Sequence, residues 1–141
     1  MYENAAREST SYCDETEKLA HNMKQLNSVY ERMVKARAQK VANVAKYIPE
    51  LEVKSEGAGA DTLLVGWGGT YGHLYSAFEE LNKAGKKVDF AQFRYINPLP
   101  RNTQEVLNRY KTVIVAELNS GQFADYLQAK NPNLNIKRVN K

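Results

Sequence analysis

Three loop segments carry residue types that could bind a ligand or a partner. The first, residues 66–72 (GWGGTYG), follows a short apolar run. Its glycines let the backbone turn sharply, and amides at the start of a following helix could receive an anion. As a dinucleotide fingerprint it fails, because Tyr71 holds the third glycine position and Gly72 comes one place late. The favoured interpretation is a tight strand-to-helix turn in which Trp67 and Tyr71 pack on a neighbour, with nucleotide binding as the alternative.

The second segment, residues 94–100 (RYINPLP), contains two prolines. Prolines fix the backbone and remove two donors, which predicts a stiff, extended loop. Rigid loops that expose aromatic and arginine side chains suit protein interfaces, because little side-chain entropy remains to be lost on binding. An equally good interpretation is a purely structural loop that places Asn102 at the start of a helix.

The third segment, residues 117–122 (ELNSGQ), holds one carboxylate. Glu117 could act as a general base, but no histidine, lysine or second carboxylate lies near it in sequence to complete a catalytic constellation. A structural carboxylate that holds the loop through backbone amides is the favoured interpretation.

The three segments supply the candidate loop and interface residues, none of which is predicted to be catalytic or metal-binding. These residues are Gly66, Trp67, Gly68, Gly69, Thr70, Tyr71, Gly72, Arg94, Tyr95, Asn97, Pro98, Pro100, Glu117, Asn119, Gly121 and Gln122.

Several common catalytic and metal-binding patterns are missing. One cysteine, Cys13, excludes an internal disulfide, a Cys-x-x-Cys pair and a cluster ligated by several cysteines of this chain. His21 and His73 lie far apart and are poor material for a zinc site. The sequence has no phosphate loop, nucleophile elbow or His-Glu-x-x-His motif, and no Gly-Asp-Gly followed by asparagine of thiamine diphosphate enzymes. By itself the chain is predicted to be catalytically incomplete.

After residue 60, predicted strands and helices alternate along the chain, and these elements position the three loops. Apolar runs predict parallel strands at 62–66, 88–95, 112–116 and 134–139, and helices between them. Gly85 is predicted to end the first of these helices. Asn102 with Glu105, and then Ser120, are predicted to cap the next two. The fold class is therefore α/β, a three-layer α/β/α domain with a mostly parallel sheet, over residues 61–141.

Residues 1–60 are predicted to form a helical connector and linker. Apolar residues recur every three or four positions from about Asp14 to Lys46, which is typical of a helical seam: Leu19, Met23, Leu26, Tyr30, Met33, Val41, Val44 and Ile48. Arg37 and Lys40 interrupt the seam, so the pattern is compatible with either one helix or two. The first ten residues are expected to be ragged, and residues 50–60 to be a linker.

Composition bounds the remaining possibilities. The chain has 141 residues and a formal net charge of +4, which favours one globular domain rather than a nucleic-acid binder. No apolar run approaches the ~20 residues of a membrane span, and the start of the sequence does not resemble a signal peptide.

The three loops, in this order and spacing, resemble the C-terminal region of the alpha subunit of 2-oxoacid:ferredoxin oxidoreductases, most closely the 2-oxoglutarate type. Residues 33–41, with Ile48 and Pro49 after them, are similar to the helix that precedes this domain in the family. The resemblance covers about Met33 to Val139. It implies a transketolase C-terminal-like domain, here expected to be a piece of a longer alpha subunit.

The resemblance also implies a function for the complete enzyme. That enzyme joins a 2-oxoacid, coenzyme A and oxidised ferredoxin into acyl-CoA, carbon dioxide and reduced ferredoxin, in the cytoplasm. Thiamine diphosphate, magnesium and iron-sulfur clusters are held mainly by other alpha-subunit domains and the beta subunit. This chain is then expected to be an inactive accessory domain, for assembly or regulation. A freestanding nucleotide-binding module, and an interaction protein that self-associates through the N-terminal helix, are the alternatives.

Overall fold

The structure, a computed structural model, describes residues 2–57 and 59–140, with side chains from Asp14 onward. The chain divides into two compact units at the junction of Asn43 and Val44. In the first unit helix α1 spans Tyr2–Val44, so it begins earlier than predicted. It is one helix and not two, because Arg37 and Lys40 are both good helix formers and both are exposed.

The second unit is a five-stranded sheet with helices on both faces. In chain order its elements are β1 (Val53–Lys54), β2 (Thr62–Trp67), α2 (Tyr71–Lys83), β3 (Val88–Phe93), α3 (Thr103–Leu107), β4 (Thr112–Glu117), α4 (Gln122–Lys130) and β5 (Ile136–Asn140). The strand order is β1-β3-β2-β4-β5; β1 is antiparallel to β3 and the other pairs are parallel. The predicted fold class is thereby confirmed.

Alternation of side chains along the strands builds two apolar layers. On one face Leu64 and Phe90 pack against Phe78 of α2. On the other face residues such as Val65 and Val113 pack against α3 and α4. Both faces of the central strands are buried, which explains why these strands are apolar throughout.

The prediction that residues 50–60 are a linker is wrong for its first part. Leu51 is buried in the core, and Val53 pairs with Ala91 in the sheet. The Leu51 amide donates to Asn102 Oδ1 at 2.8 Å, and Asn102 Nδ2 donates to the Leu51 carbonyl at 3.0 Å. One side-chain amide thus satisfies both backbone groups of Leu51, much as a neighbouring strand would.

This pair of bonds also corrects the predicted capping at Asn102. Asn102 stands at the N-cap of α3 but makes no side-chain cap bond, because its amide is engaged by Leu51. The helix is short and ends at Leu107. Gly85 does end α2 as predicted: its φ is +78°, and the Lys86 amide donates to the Leu81 carbonyl at 2.9 Å.

Replacing Asn102 by alanine is expected to lower the free energy of unfolding by about 1–3 kcal/mol, since two partly buried backbone groups of Leu51 lose their partner. Asn102→Asp keeps the acceptor and loses the donor, so an intermediate loss is expected. Urea unfolding followed by circular dichroism measures both. Exposed Asn108→Ala is the control, and an equal loss in that variant would contradict the assignment.

A partly buried polar pair lies near the start of β3. The Tyr110 hydroxyl donates to Asp89 Oδ2 at 2.7 Å. Burial, and next this hydrogen bond, raise the pKa of Tyr110 above its ordinary value. The neutral phenol is therefore favoured in the folded state, and its stabilisation is present below pH ~10 and is lost as pH rises past that point.

Tyr110→Phe is accordingly expected to be less stable than the parent chain at pH 8, by about 1 kcal/mol. The difference should shrink as pH rises above ~10, because only the parent loses the tyrosine's contribution. Urea unfolding of both proteins between pH 8 and 11 tests this. A pH-independent difference would mean that the phenol ionises alike in the folded and unfolded chain.

Candidate functional site

The three loops singled out in the sequence follow neighbouring parallel strands. β3, β2 and β4 lie side by side, so the loops that follow them gather at one edge of the sheet. The chain leaves β2 toward β3 on one side and later returns to β4 on the other side. This reversal is the position at which open α/β sheets bind ligands.

A shallow depression of about 290 Å³ lies at that position. It is lined by Trp67, Gly68, Gly69, Thr70, Leu118 and Asn119. The first and third loops therefore meet across the reversal point. Leu118 is 76% exposed there.

Glu117, at the end of β4, organises the third loop. Its side chain is buried, and Oε2 accepts from the Trp67 indole at 3.3 Å and from the Phe123 amide at 3.1 Å. Oε1 accepts from the Ala124 amide at 3.0 Å. The carboxylate thus satisfies two amides in the first turn of α4, where a negative charge is also favoured by the helix dipole.

The structure therefore confirms that Glu117 is a structural carboxylate that holds the loop through backbone amides. It also corrects the prediction that Ser120 caps α4. Gly121, not Ser120, occupies the N-cap of α4, in the left-handed region with a φ of +91°. Glycine has no side chain that could cap the helix. Glu117 does the capping from the preceding strand, and the Asn119 side chain accepts from the Gly121 amide at 3.0 Å.

The first loop is held by close packing and by two side chains. A Cβ on Gly66 would lie 2.3 Å from Leu74 Cδ1, so any larger residue there would have to displace that side chain. Gly68 has a φ of +63°, and its carbonyl accepts from Gln92 Nε2 at 3.0 Å. The Thr70 hydroxyl donates to the Trp67 carbonyl at 2.8 Å. The loop is therefore a tight strand-to-helix turn, as favoured from the sequence.

Both aromatic residues of this turn pack on neighbours, as the sequence predicts. The Trp67 ring lies 5.9 Å from that of Phe123, centroid to centroid. Tyr71 stacks on Tyr75 at 5.7 Å and tilts against Phe90 at the same distance.

A lysine of the edge strand lies over the tyrosine pair. Lys54 Nζ is 5.0 Å from the centre of the Tyr75 ring and 5.7 Å from that of Tyr71. Interaction with the Tyr71 hydroxyl is the main cause that raises the pKa of Lys54, so the cation is favoured. This contact joins β1 to the start of α2.

The second loop is anchored at its end and exposed at its start. Arg94 and Tyr95 are exposed, whereas Pro100 is buried. The Asn97–Pro98 peptide bond is cis. The Thr103 hydroxyl donates to the Pro100 carbonyl at 2.6 Å.

Among the candidate residues, burial separates those that build the edge from those that face solvent. The buried ones are Gly66, Pro100, Glu117 and Gly121; the partly buried ones are Trp67, Thr70, Pro98 and Asn119; the exposed ones are Gly68, Gly69, Tyr71, Gly72, Arg94, Tyr95, Asn97 and Gln122.

Three residues at this edge were missed by the reasoning from sequence. Leu118 lies within the third segment, but nothing in the sequence indicates that this side chain is exposed. Gln92 reaches the first loop from β3, which the sequence predicts to be a core strand, and Lys54 reaches it from β1, which the sequence predicts to be part of a linker. Gln92 Oε1 is buried and has no hydrogen-bond partner within the described residues.

Within the described residues, no three histidine, cysteine, aspartate or glutamate side chains are grouped to hold a metal ion. None of the described helices combines the length and the apolar character that crossing a membrane requires.

Comparisons with known proteins agree with the resemblance seen in the loops. Over 101 residues, 72% of this chain, the sequence is 41% identical to the KorA subunit of a 2-oxoglutarate oxidoreductase of Mycobacterium tuberculosis. The chain spans 15% of the length of that relative. No protein-family model matches the chain.

Two solved structures share the fold. A 2-oxoglutarate:ferredoxin oxidoreductase of Magnetococcus marinus superimposes with a TM-score of 0.66 and 25% identity, over 79% of this chain and 20% of that one. A split-gene transketolase superimposes with a TM-score of 0.50 and 16% identity, over 63% of this chain and 32% of that one, which supports the transketolase-like fold alone. The predicted resemblance is confirmed, and the chain is homologous to one part, the C-terminal domain, of subunits of 2-oxoacid:ferredoxin oxidoreductases of the 2-oxoglutarate type.

Proposed function

We propose that this chain is an accessory domain, for assembly or regulation, of a thiamine diphosphate-dependent 2-oxoacid:ferredoxin oxidoreductase. The complete enzyme would decarboxylate 2-oxoglutarate oxidatively, form succinyl-CoA from coenzyme A, and reduce ferredoxin. The solved relative from Magnetococcus marinus, which was determined with 2-oxoglutarate, coenzyme A and succinyl-CoA bound, supports this choice of substrate and product. The proposed location is the cytoplasm, as the resemblance implies.

The engagement of Glu117 is the observation that carries the non-catalytic role. A general base must lie within hydrogen-bond reach of its substrate. The Glu117 side chain is only 4% exposed, and three of its roughly four lone-pair sites already accept from groups of this chain. The loop edge is therefore suited to hold a shape and not to move a proton.

The described residues do not fit the cofactors of the proposed enzyme. They present no grouped metal ligands, and the amides at the start of α4 that could receive a diphosphate are already bonded to Glu117. We propose that thiamine diphosphate, magnesium and the iron-sulfur clusters are held by the remaining alpha-subunit domains and the beta subunit.

Reconstitution tests the proposal. Reduction of ferredoxin that depends on 2-oxoglutarate and coenzyme A is expected only when the chain is combined with the remaining polypeptides of the enzyme. Calorimetric titration of the chain alone with thiamine diphosphate and magnesium is expected to give no binding heat. Turnover or tight cofactor binding by the chain alone would refute the accessory role.

The exposed residues at the carboxyl edge are the proposed contact with the rest of the enzyme. Leu118 and Tyr95 are 76% and 47% exposed. Leu118 follows β4 and Tyr95 lies two residues after β3, and no residue of either strand is exposed. Aromatic and arginine side chains, here Tyr95 and Arg94, are enriched at protein interfaces.

Leu118→Glu is expected to weaken assembly with the remaining polypeptides at least tenfold, about 1.4 kcal/mol, because a charge replaces the apolar contact. Leu81→Glu, at an exposed position of α2, is the matched control and should assemble normally. Sedimentation of the mixed components measures assembly, and circular dichroism checks that both variants stay folded. Equal binding by the two variants would locate the contact elsewhere.

A nucleotide-binding module remains a second candidate because of the depression at the reversal point. Trp67 is the single tryptophan and lines that depression, so its fluorescence reports directly on occupancy. Titration with NAD(H), FAD or coenzyme A at millimolar concentration decides the matter. A saturable shift would favour this candidate, and no change would remove it.

A further inference from the structure

Helix α1 carries an apolar seam that the described part of the chain leaves exposed. In heptad terms Met23, Tyr30 and Val44 occupy position a, and Leu19, Leu26 and Met33 occupy position d. Every described side chain of α1 from Asp14 to Val44 is exposed. Most of the stability of protein helices comes from packing of one face. A seam of this kind therefore needs a partner.

The charges of α1 are divided along its length. Residues 2–17 carry five acidic side chains and one basic one, whereas residues 18–44 carry six basic side chains and one acidic one. Two parallel copies would bring like charges together along the whole helix. Two antiparallel copies would bring each acidic end against a basic end, which is favourable at low salt.

The two cations within the seam point to the same orientation. Arg37 falls at position a and Lys40 at position d. In a parallel, in-register pair each would face its own copy across the seam, an unfavourable contact of like charges. In an antiparallel pair position a faces position d, so neither cation meets itself.

We propose that α1 pairs with α1 of a second copy of this chain as an antiparallel coiled coil. Among the registers that the heptad positions allow, the proposed one places Leu19 opposite Tyr30 of the second copy and Met23 opposite Leu26 of the second copy. The same register places Asp14 level with Lys35 and Glu17 level with Arg32 along the helix axis, on the outer positions of the two helices. Apolar contacts then occupy the centre, with opposite charges toward the ends.

This pairing does not depend on the proposed oxidoreductase role, since it uses only α1. If α1 does not pair, the proposed accessory function is unaffected. If the accessory function is refuted, the proposed pairing of α1 is likewise unaffected.

Sedimentation equilibrium of the full chain is the first test. A dimer is expected, and its dissociation constant should rise with salt because salt screens the attraction between the acidic and basic halves of the two helices. Leu26→Glu, at the centre of the seam, should weaken the dimer at least about tenfold. Ser28→Glu, on the opposite side of the helix, is the matched control and should dimerise normally. A monomer at high concentration would overturn the proposal.

Disulfide cross-linking in a Cys13→Ser background decides the orientation. Leu19→Cys combined with Tyr30→Cys should give a covalent dimer under oxidation, whereas Tyr30→Cys alone should not. In the antiparallel register the two copies of residue 30 are about 16 Å apart along the axis, beyond the reach of a disulfide. Rapid cross-linking of Tyr30→Cys alone would show a parallel pair and overturn the proposal.

Discussion

Glu117→Ala is expected to lower the free energy of unfolding by about 3–5 kcal/mol. The substitution removes the acceptor of two amides at the start of α4 and of the Trp67 indole. Loss of a helix cap costs ~1 kcal/mol, and each buried donor left unpaired costs about 1–3 kcal/mol. Urea unfolding followed by circular dichroism measures the change.

The tryptophan supplies a second readout for this variant. Because Trp67 is the single tryptophan and donates to Glu117, its emission should shift when that contact is lost. Glu117→Gln keeps the volume and one acceptor, so a smaller loss is expected. Glu105→Ala removes an exposed carboxylate paired with Arg109 and should cost less than about 1 kcal/mol. A similar loss in the Glu105 and Glu117 variants would refute the structural role of Glu117.

Gly66→Ala is expected to destabilise the domain by about 1–3 kcal/mol, through overpacking within a strand. The added Cβ would lie 2.3 Å from Leu74 Cδ1, 2.7 Å from Gln92 Oε1 and 3.0 Å from Thr70 Oγ1. Something must move, and the movement of Gln92 would disturb its bond to the Gly68 carbonyl. The depression beside Gly68 should therefore change shape as well.

The same loop offers a matched control. Gly72 lies in the first turn of α2, and a Cβ there meets nothing within 4 Å. Gly72→Ala should leave stability unchanged or raise it by up to about 1 kcal/mol, because alanine is the better helix former. Thermal and urea unfolding of the two variants measure both effects. Equal destabilisation would show that backbone freedom, and not packing at Gly66, governs this loop.

Much of the fold was predictable from local patterns. Apolar runs located the parallel strands, and Gly85 located the end of α2, because burial on both faces and the left-handed region leave direct traces in a sequence. The order of three loop segments was enough to indicate the family that the comparisons then confirmed.

Capping was predicted less well, since several side chains compete for the same backbone groups. Asn102 and Ser120 have the right types at the right positions. In the structure Asn102 serves Leu51, and Glu117 reaches the amides of α4. Which competitor succeeds depends on distances that a local pattern does not contain.

The alternation of strands and helices, the three loops that follow parallel strands, and the apolar seam of α1 can be read from the sequence alone. These features depend on periodicity and residue type, which are local. That β1 completes the sheet, that Asn102 holds Leu51, and that Glu117 holds Trp67 becomes evident only in the folded chain. Each of those contacts joins residues that are about 35 to 50 positions apart, and such pairings follow from how the layers pack together.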